Sequence, residues 1–584
     1  MRKIKKTIAS TLAIMLLLSA TACGPNPVNS GNGTGEEDKS ISYLYVSTRD
    51  TGVKKQWLDN FARGFEAKYA NTSFEEGKMG VRVETEASNN NSGSRLLANI
   101  ASSMYSVSMV ENLHYVDFMA NDLLYDISDL VEEELDDGSG TIRSKISAEQ
   151  DAYLTGFDGK YYAAPWFSGF NGVTYDAALF KEKSLYFADT NGYKPFQNST
   201  YTDKAYTGRG FITAANPTKS CGPDGTKGTF DDGLPSSYEE FFYLLEYMRE
   251  MKGVDPFIYT GASYHYLNYM FQSLVLNWSG AQDTSYAFSF DSGDDTASVV
   301  TGFNGDTPII EDVKITKDNG YLTTQLAGKY YATKFMTELF ENETRYFYSL
   351  SSNTSFSNID AQTIFINSRL NSSYAPVAML IEGAYWYNEC TSALEASVTK
   401  YGDAAKNREF CYMPMPGQET GTVNENEGKS IVLGDGLANY MIINNNVKNN
   451  PVKKELAELF FKYCYEEASL QSFTLTTGLP VAVDYELTEA QYNGTCNYWK
   501  SLWDVYSTSL KNNSYCTTVG GSKIFLANRP TFAFNTSSGF CTSTVNAIKY
   551  EDVRAGVKAK LSAKDYFLGL KISESKWAEF NIYD

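Results

Sequence analysis

Glu382, Tyr385 and Trp386 set a carboxylate three and four residues ahead of two aromatic rings. A flat ring covers the C–H face of a pyranose and a carboxylate accepts from paired hydroxyls, so this grouping suits a neutral sugar. Arg49-Asp50 after an apolar strand, Trp166 after Pro165, Tyr264 and Tyr266 after Gly261, and Asp435 between two glycines offer the same chemistry. Tyr264 and Tyr266 share a face if their segment is extended. Each position also has a plain structural reading: a surface turn for Arg49-Asp50 and for Asp435, packing for Trp166, and a buried core ring for Trp386. The two tyrosines are two among 43. Asp224, Asp231 and Asp232 lie in a Gly-rich stretch, 221–233, whose oxygens suit a structural calcium ion. That stretch lacks the EF-hand spacing and its terminal Glu, and a plain solvated turn is the simpler reading. No other cofactor is expected. Only two histidines occur, His114 and His265, with no CxxC pair, so zinc and a His-centred triad have little to stand on. A hydrolase would need two carboxylates about 5–9.5 Å apart, and spacing alone nominates no such pair.

The elements that must carry these residues alternate. Residues 41–46 read as a strand, and Trp57, Leu58, Phe61, Phe65 and Tyr69 then fall on one helical face. Residues 79–85 alternate as a second strand. Ser236 and Glu239 have the spacing of a capping box opening a helix. An apolar strand spans 438–443, and Asn450-Pro451 starts a helix with Leu456, Leu459, Phe460 and Tyr463 on one face. Strand–helix alternation implies α/β layers with a mixed sheet. The Asp/Gly/Ser/Thr-rich stretch 281–325 reads as a surface insertion.

At 584 residues the chain exceeds one domain. Its 70 acids against 50 bases give a net charge of −20, and four of the bases lie in the first 22 residues, which hold no acid. Such a surface repels phosphate backbones, so nucleic acid is not an expected partner. Arg2, Lys3, Lys5 and Lys6, a short apolar run centred on residues 14–18, and Ser19-Ala20-Thr21-Ala22-Cys23-Gly24 form an export signal. Residues 24–40 are Gly/Asn/Pro/Ser-rich and suit a flexible tether. Beyond Cys23 seven scattered cysteines remain; bonds among Cys496, Cys516 and Cys541, or buried free thiols, are both compatible with the sequence.

Small residues directly before Cys23 resemble the lipobox of bacterial lipoproteins, with Ala20 where Leu is usual. Behind it, several segments resemble in order the extracellular solute-binding proteins of the carbohydrate type (family 1), which serve ATP-binding-cassette (ABC) importers. Tyr161 to Phe180 is similar to the family's first crossover, with Asp176 where Asn is usual, and Leu234 to Phe241 is similar to its "P-x-T-W-x-E-L" helix start. Val377 to Trp386 resembles its "x-A-M-x-x-x-G-x-W" segment, and Met413 to Gly417 its returning strand. Glu455 to Pro480 resembles its late helix and "T-G-x-x-P". The family often places an Asp where this chain reads Ser106-Val107-Ser108-Met109.

The resemblance implies an α/β, two-lobed periplasmic-binding-protein-like fold with a hinge and a central ligand cleft. It divides the chain into a signal peptide (1–22), a lipidated Cys23 with its tether (23–40), one lobe (41–165 plus 416–480) and a second (168–412 plus 481–584). It implies a monomeric lipoprotein, held by its lipid at the outer face of the bacterial cell membrane. There it would capture a sugar or oligosaccharide and pass it to ABC transporter permease subunits by hinge closure, with no chemical step. The resemblance also puts sugar-contacting aromatics at 264–266 and 385–386. A non-sugar solute in the same fold, or an exported glycoside hydrolase, are the alternatives.

Overall fold

The computed structural model describes residues 38–49, 52–88, 94–111, 113, 115–189, 208–262, 265–417, 430–434, 439–516 and 550–579. Residues 1–37 with Cys23, His114 and Cys541 lie outside them. The strands in chain order are β1 (Ser42–Thr48), β2 (Val81–Ala87), β3 (Val107–Glu111), β4 (Ala164–Pro165), β5 (Gly172–Asp176), β6 (Asp255–Ile258), β7 (Ala297–Asn304), β8 (Thr307–Val313), β9 (Val377–Leu380), β10 (Phe410–Pro414), β11 (Val432–Leu433), β12 (Asn439–Ile443) and β13 (Tyr515–Cys516).

Two sheets organise the chain. The first has the order β2-β1-β3-β12-β4, with β1 parallel to β2 and β3, and β12 antiparallel to β3 and β4. The second has the order β10-β5-β9-β6. Each forms the centre of an α/β lobe. In the first lobe the helix Gln56–Lys68 buries Trp57, Leu58, Phe61 and Phe65, the face read from the sequence. Phe65 meets Phe460 of the helix Pro451–Cys464, which Asn450 caps by accepting from the amides of Val452 and Lys453, with Pro451 in its first turn. In the second lobe Asp176 ends β5 and caps the helix Ala177–Lys183 by accepting from Leu179 N at 2.9 Å.

The helix expected to open with a capping box at Ser236 and Glu239 is capped one residue later by Ser237, without the reciprocal bond of a capping box. Ser237 accepts from the amide of Glu240, while the carboxylate of Glu240 accepts from Ser236 N and forks onto Arg209. The bidentate arginine fixes Glu240 at that position. The stretch 281–325 contains the antiparallel hairpin β7–β8. No helix among the described residues is long and apolar enough to cross a membrane.

The chain crosses between lobes three times: from β4 to β5, from β10 to β12, and after the helix Glu467–Thr477. Backbone bonds stitch the crossovers together. Trp166 N donates to Asn439 O at 2.9 Å, Ala482 N to Trp166 O at 2.7 Å, and Asn171 N to Leu433 O at 3.3 Å. Asn277 adds a side-chain strap, donating to Pro416 O and accepting from Ile431 N. Three parallel connections permit bending about one axis while resisting twist, which is the mechanical form of a hinge. Cys496 and Cys516 are not joined to one another.

Candidate functional site

The lobes meet where the carboxyl ends of β1 and β3 face the segment that follows β9. Ligands in α/β folds sit at such strand ends. Arg49 follows β1 and forms an ion pair with Glu111, the last residue of β3. Arg49 Nε is sheltered from solvent and makes no hydrogen bond. Gly52 presses against the second lobe: a Cβ there would come within 2.9 Å of Tyr385 Cβ and 3.0 Å of Glu389 Oε1. Lys54 Nζ donates to Thr391 Oγ1 across the same gap at 3.2 Å. Asn388 Nδ2 donates back to the carbonyl of Thr477 in the first lobe.

The opposing wall comes from residues 382–389. Every residue of β9 is buried, and the chain then turns into the short helix Trp386–Glu389. Tyr385 and Glu389, four residues apart, share a side and face Gly52, whereas Trp386 is rotated about 100° away. The ring of Tyr385 folds over Gly383, where any Cβ would meet its Cε2 at 2.3 Å. Glu389 reaches water, yet the protein crowds it enough to push its carboxyl up to about 7, desolvation leading and the charge of Glu111 adding to it. Lys54 and Arg49 oppose that shift. A side chain both accessible and crowded stands on the wall of a narrow cleft.

Glu382 lies deeper. It is only 3% exposed, and neither carboxylate oxygen makes a hydrogen bond. Burial, then the charge of Glu389, raises its pKa well above the ordinary carboxylate value. Tyr266 and Gln362 stand close enough to favour the anion without reaching hydrogen-bond geometry. Tyr266 opens the helix His265–Ser289 and is half-buried beside Glu382, Glu389 and Tyr385.

The structure thus brings Arg49, Tyr266, Glu382 and Tyr385 into one region. Asp50, Tyr264 and Asp435 lie outside the described residues. Two expectations are corrected. Trp166 is no cleft wall: it is 1% exposed and packs among Trp57, Phe61, Tyr465 and Phe473, because the crossover it follows runs beneath the first lobe's helices. Trp386 is no stacking platform: it is fully buried against Phe365, Phe410 and Tyr498, on the inward side of its helix.

Sequence reasoning missed Glu111, Gly52 and Glu389. The acid sought at 106–109 stands two residues beyond that stretch, at the end of β3. Following the strand to its carboxyl end would have found Glu111, and counting one helical turn from Tyr385 would have found Glu389. Gly52 carries no signal without its neighbours.

The carboxylates of the 221–233 loop take their hydrogen bonds from within the loop, and Asp232 Oδ1 is left buried without a partner. Asp231, 1% exposed, accepts from Asp224 N and Thr229 Oγ1, and Asp232 accepts from Gly228 N. Burial and the neighbouring Asp224 charge push Asp231 up to about 7. The loop borders an open pocket of about 320 Å³ lined also by Pro414, Val432, Val505, Ser509 and Ser514. Among the described residues no three acidic, His or Cys side chains converge in a way that could hold a metal ion.

No protein-family model and no curated protein sequence matches the chain. Solved structures do match it in fold. A chitin oligosaccharide binding protein is similar at a TM-score of 0.50 and 13% identity, over 93% of this chain and 99% of that one. A cyclic alpha-maltosyl-1,6-maltose binding protein from Arthrobacter globiformis is similar at 0.50 and 11% identity, over 92% and 99%. The likeness covers nearly the whole of each chain, and this chain shares the two-sheet α/β fold of those two proteins.

Proposed function

We propose that this protein is an extracytoplasmic solute-binding lipoprotein of the carbohydrate type. It would capture a sugar or oligosaccharide between its lobes and deliver it to ABC permease subunits. The observation that carries this reading is the set of sheltered, unsatisfied polar atoms on both cleft walls: Arg49 Nε from one lobe and both oxygens of Glu382 from the other. Buried polar groups are normally paired, and a polyhydroxyl ligand supplies the missing donors and acceptors at once. Tyr385 and Tyr266 offer ring faces for its C–H surface. Because partners come from both lobes, the full binding energy is realised only in the closed state, so ligand and closure are coupled. A diacylated Cys23 would hold the body at the membrane while the tether lets it reach a permease. The net charge argues against a nucleic acid partner.

No bond-making step is required of these residues, and we read the protein as a binder. Glu382 and Glu389 nevertheless form a pair of carboxyls with raised pKa in one cleft, which is the specific feature that keeps an exported glycoside hydrolase as the second reading. One experiment separates the two. Purified protein is incubated with a saccharide panel, melting is followed, and the sugars are then analysed. A melting shift with intact sugar is expected. Shortened products would favour the hydrolase, and no shift with any saccharide would overturn the sugar reading.

A further inference from the structure

The charges of the cleft do not balance. Of the described groups, Arg49 and Glu111 pair with one another. That leaves the exposed ammonium of Lys54, already donating to Thr391 Oγ1, beside Glu389, while Glu382 has Glu389 as its charged neighbour and no cation acting on it. The other groups that act on Glu382 among the described residues are uncharged: Tyr266, Gln362, Cys390 and Tyr498. Glu382 is more than nine-tenths buried and has no hydrogen bond at either oxygen.

A sugar hydroxyl would fill its lone pairs but leave the charge deficit. A protonated amine supplies three donors and the missing positive charge together, and charge-assisted bonds are about twice as strong as neutral ones. Tyr266 and Tyr385 stand beside the carboxyls, where their electron-rich faces favour a cation. Resting on the reading of the site as a sugar cleft, we infer that its solute is an amino sugar, a saccharide whose protonated amino group sits between Glu382 and Glu389. Burial first, and then the neighbouring negative charge, holds both carboxyls above their ordinary range. Seating a cation there lowers both, so binding of the amino sugar expels protons at mildly acidic pH.

Isothermal titration calorimetry tests this on the full mature chain. Each neutral saccharide that shifts melting is set beside its amino-deoxy and N-acetylamino counterparts. The amine is expected to bind at least about tenfold tighter than the neutral sugar. Its binding heat at pH 6 should vary with the buffer's ionisation enthalpy. N-acetylation, which removes the charge and keeps the nitrogen, should abolish the advantage. Glu389→Gln, at a water-accessible position that folding tolerates, should cut the amine-to-neutral ratio to roughly threefold or less, and Glu382→Gln should do the same. An amine that binds no better than its neutral or N-acetyl counterpart overturns the amino-sugar assignment and leaves the sugar cleft standing. A panel in which no saccharide binds overturns the sugar reading itself, and this inference with it.

Discussion

Gly52 of the first lobe lies so near Tyr385 of the second that a Cβ on it would stand 2.9 Å from the tyrosine Cβ. That atom sits at the root of the side chain and cannot swing aside. Gly52→Ala should therefore hold the lobes slightly apart while leaving each lobe's core intact. The expected result is at least about a tenfold loss of ligand affinity with a melting temperature near wild type. Small-angle scattering of the liganded protein should show a larger radius of gyration than wild type. Unchanged affinity would mean that the contact is not part of the closed state.

Tyr385 and Trp386 should separate binding from stability. Removing a well-placed aromatic from a site costs about 2 kcal/mol or more, roughly thirtyfold in affinity. Emptying a buried ring's place costs about 3–5 kcal/mol of folding free energy. Tyr385→Ala should lose saccharide affinity and melt nearly normally, while Trp386→Ala should melt far earlier. The reverse pattern, read by calorimetry and thermal melting, would return Trp386 to the cleft.

The raised pKa of Glu389 carries a sign. Folding lifts it from an ordinary 4.5 to about 7, so the folded state binds more protons than the unfolded one between those values. Stability from this group is full below about pH 4.5 and falls as pH rises to about 7. Buried Glu382 is shifted in the same direction. Unliganded wild type should thus melt at a lower temperature at about pH 8 than at about pH 5. Glu389→Gln should flatten that dependence. A profile unaffected by the substitution would contradict the crowding described at this carboxyl.

The lipid anchor proposed at Cys23 makes a cellular prediction. A diacyl anchor holds stably where a single chain does not. Cys23→Ala should move the protein from the membrane fraction to the soluble extracytoplasmic fraction without changing saccharide binding. Persistence at the membrane would exclude Cys23 as the attachment point.

The elements legible in the sequence were those whose period is set locally. The face Trp57-Leu58-Phe61-Phe65 repeats at helical spacing, and Asn450-Pro451 announces a helix start. What stayed hidden depends on tertiary neighbours. Trp166 and Trp386 have the composition of cleft residues, but which way each ring turns is decided by Phe473 and Phe410, hundreds and tens of residues distant. Glu111 and Glu389 become site candidates only once β3 and the 386–389 helix are set opposite each other. The capping position moved from Ser236 to Ser237 because Arg209 captures Glu240, a partner no local pattern contains.

β12 lies between β3 and β4, so the first sheet has a vacancy at its fourth place until Asn439–Ile443 emerges. All four strands of the second sheet fall between residues 172 and 414 and precede it. A chain delivered from its amino end therefore presents the open edge of β3 for most of its synthesis, a template for wrong pairing. Pulse-labelled hydrogen exchange during refolding should protect the amides of β5 and β9 before those of β3; simultaneous protection would argue against this order. The lobe that begins the chain is the one that must wait, and a secretion chaperone that holds residues 41–165 extended would act where the topology leaves them longest without a partner.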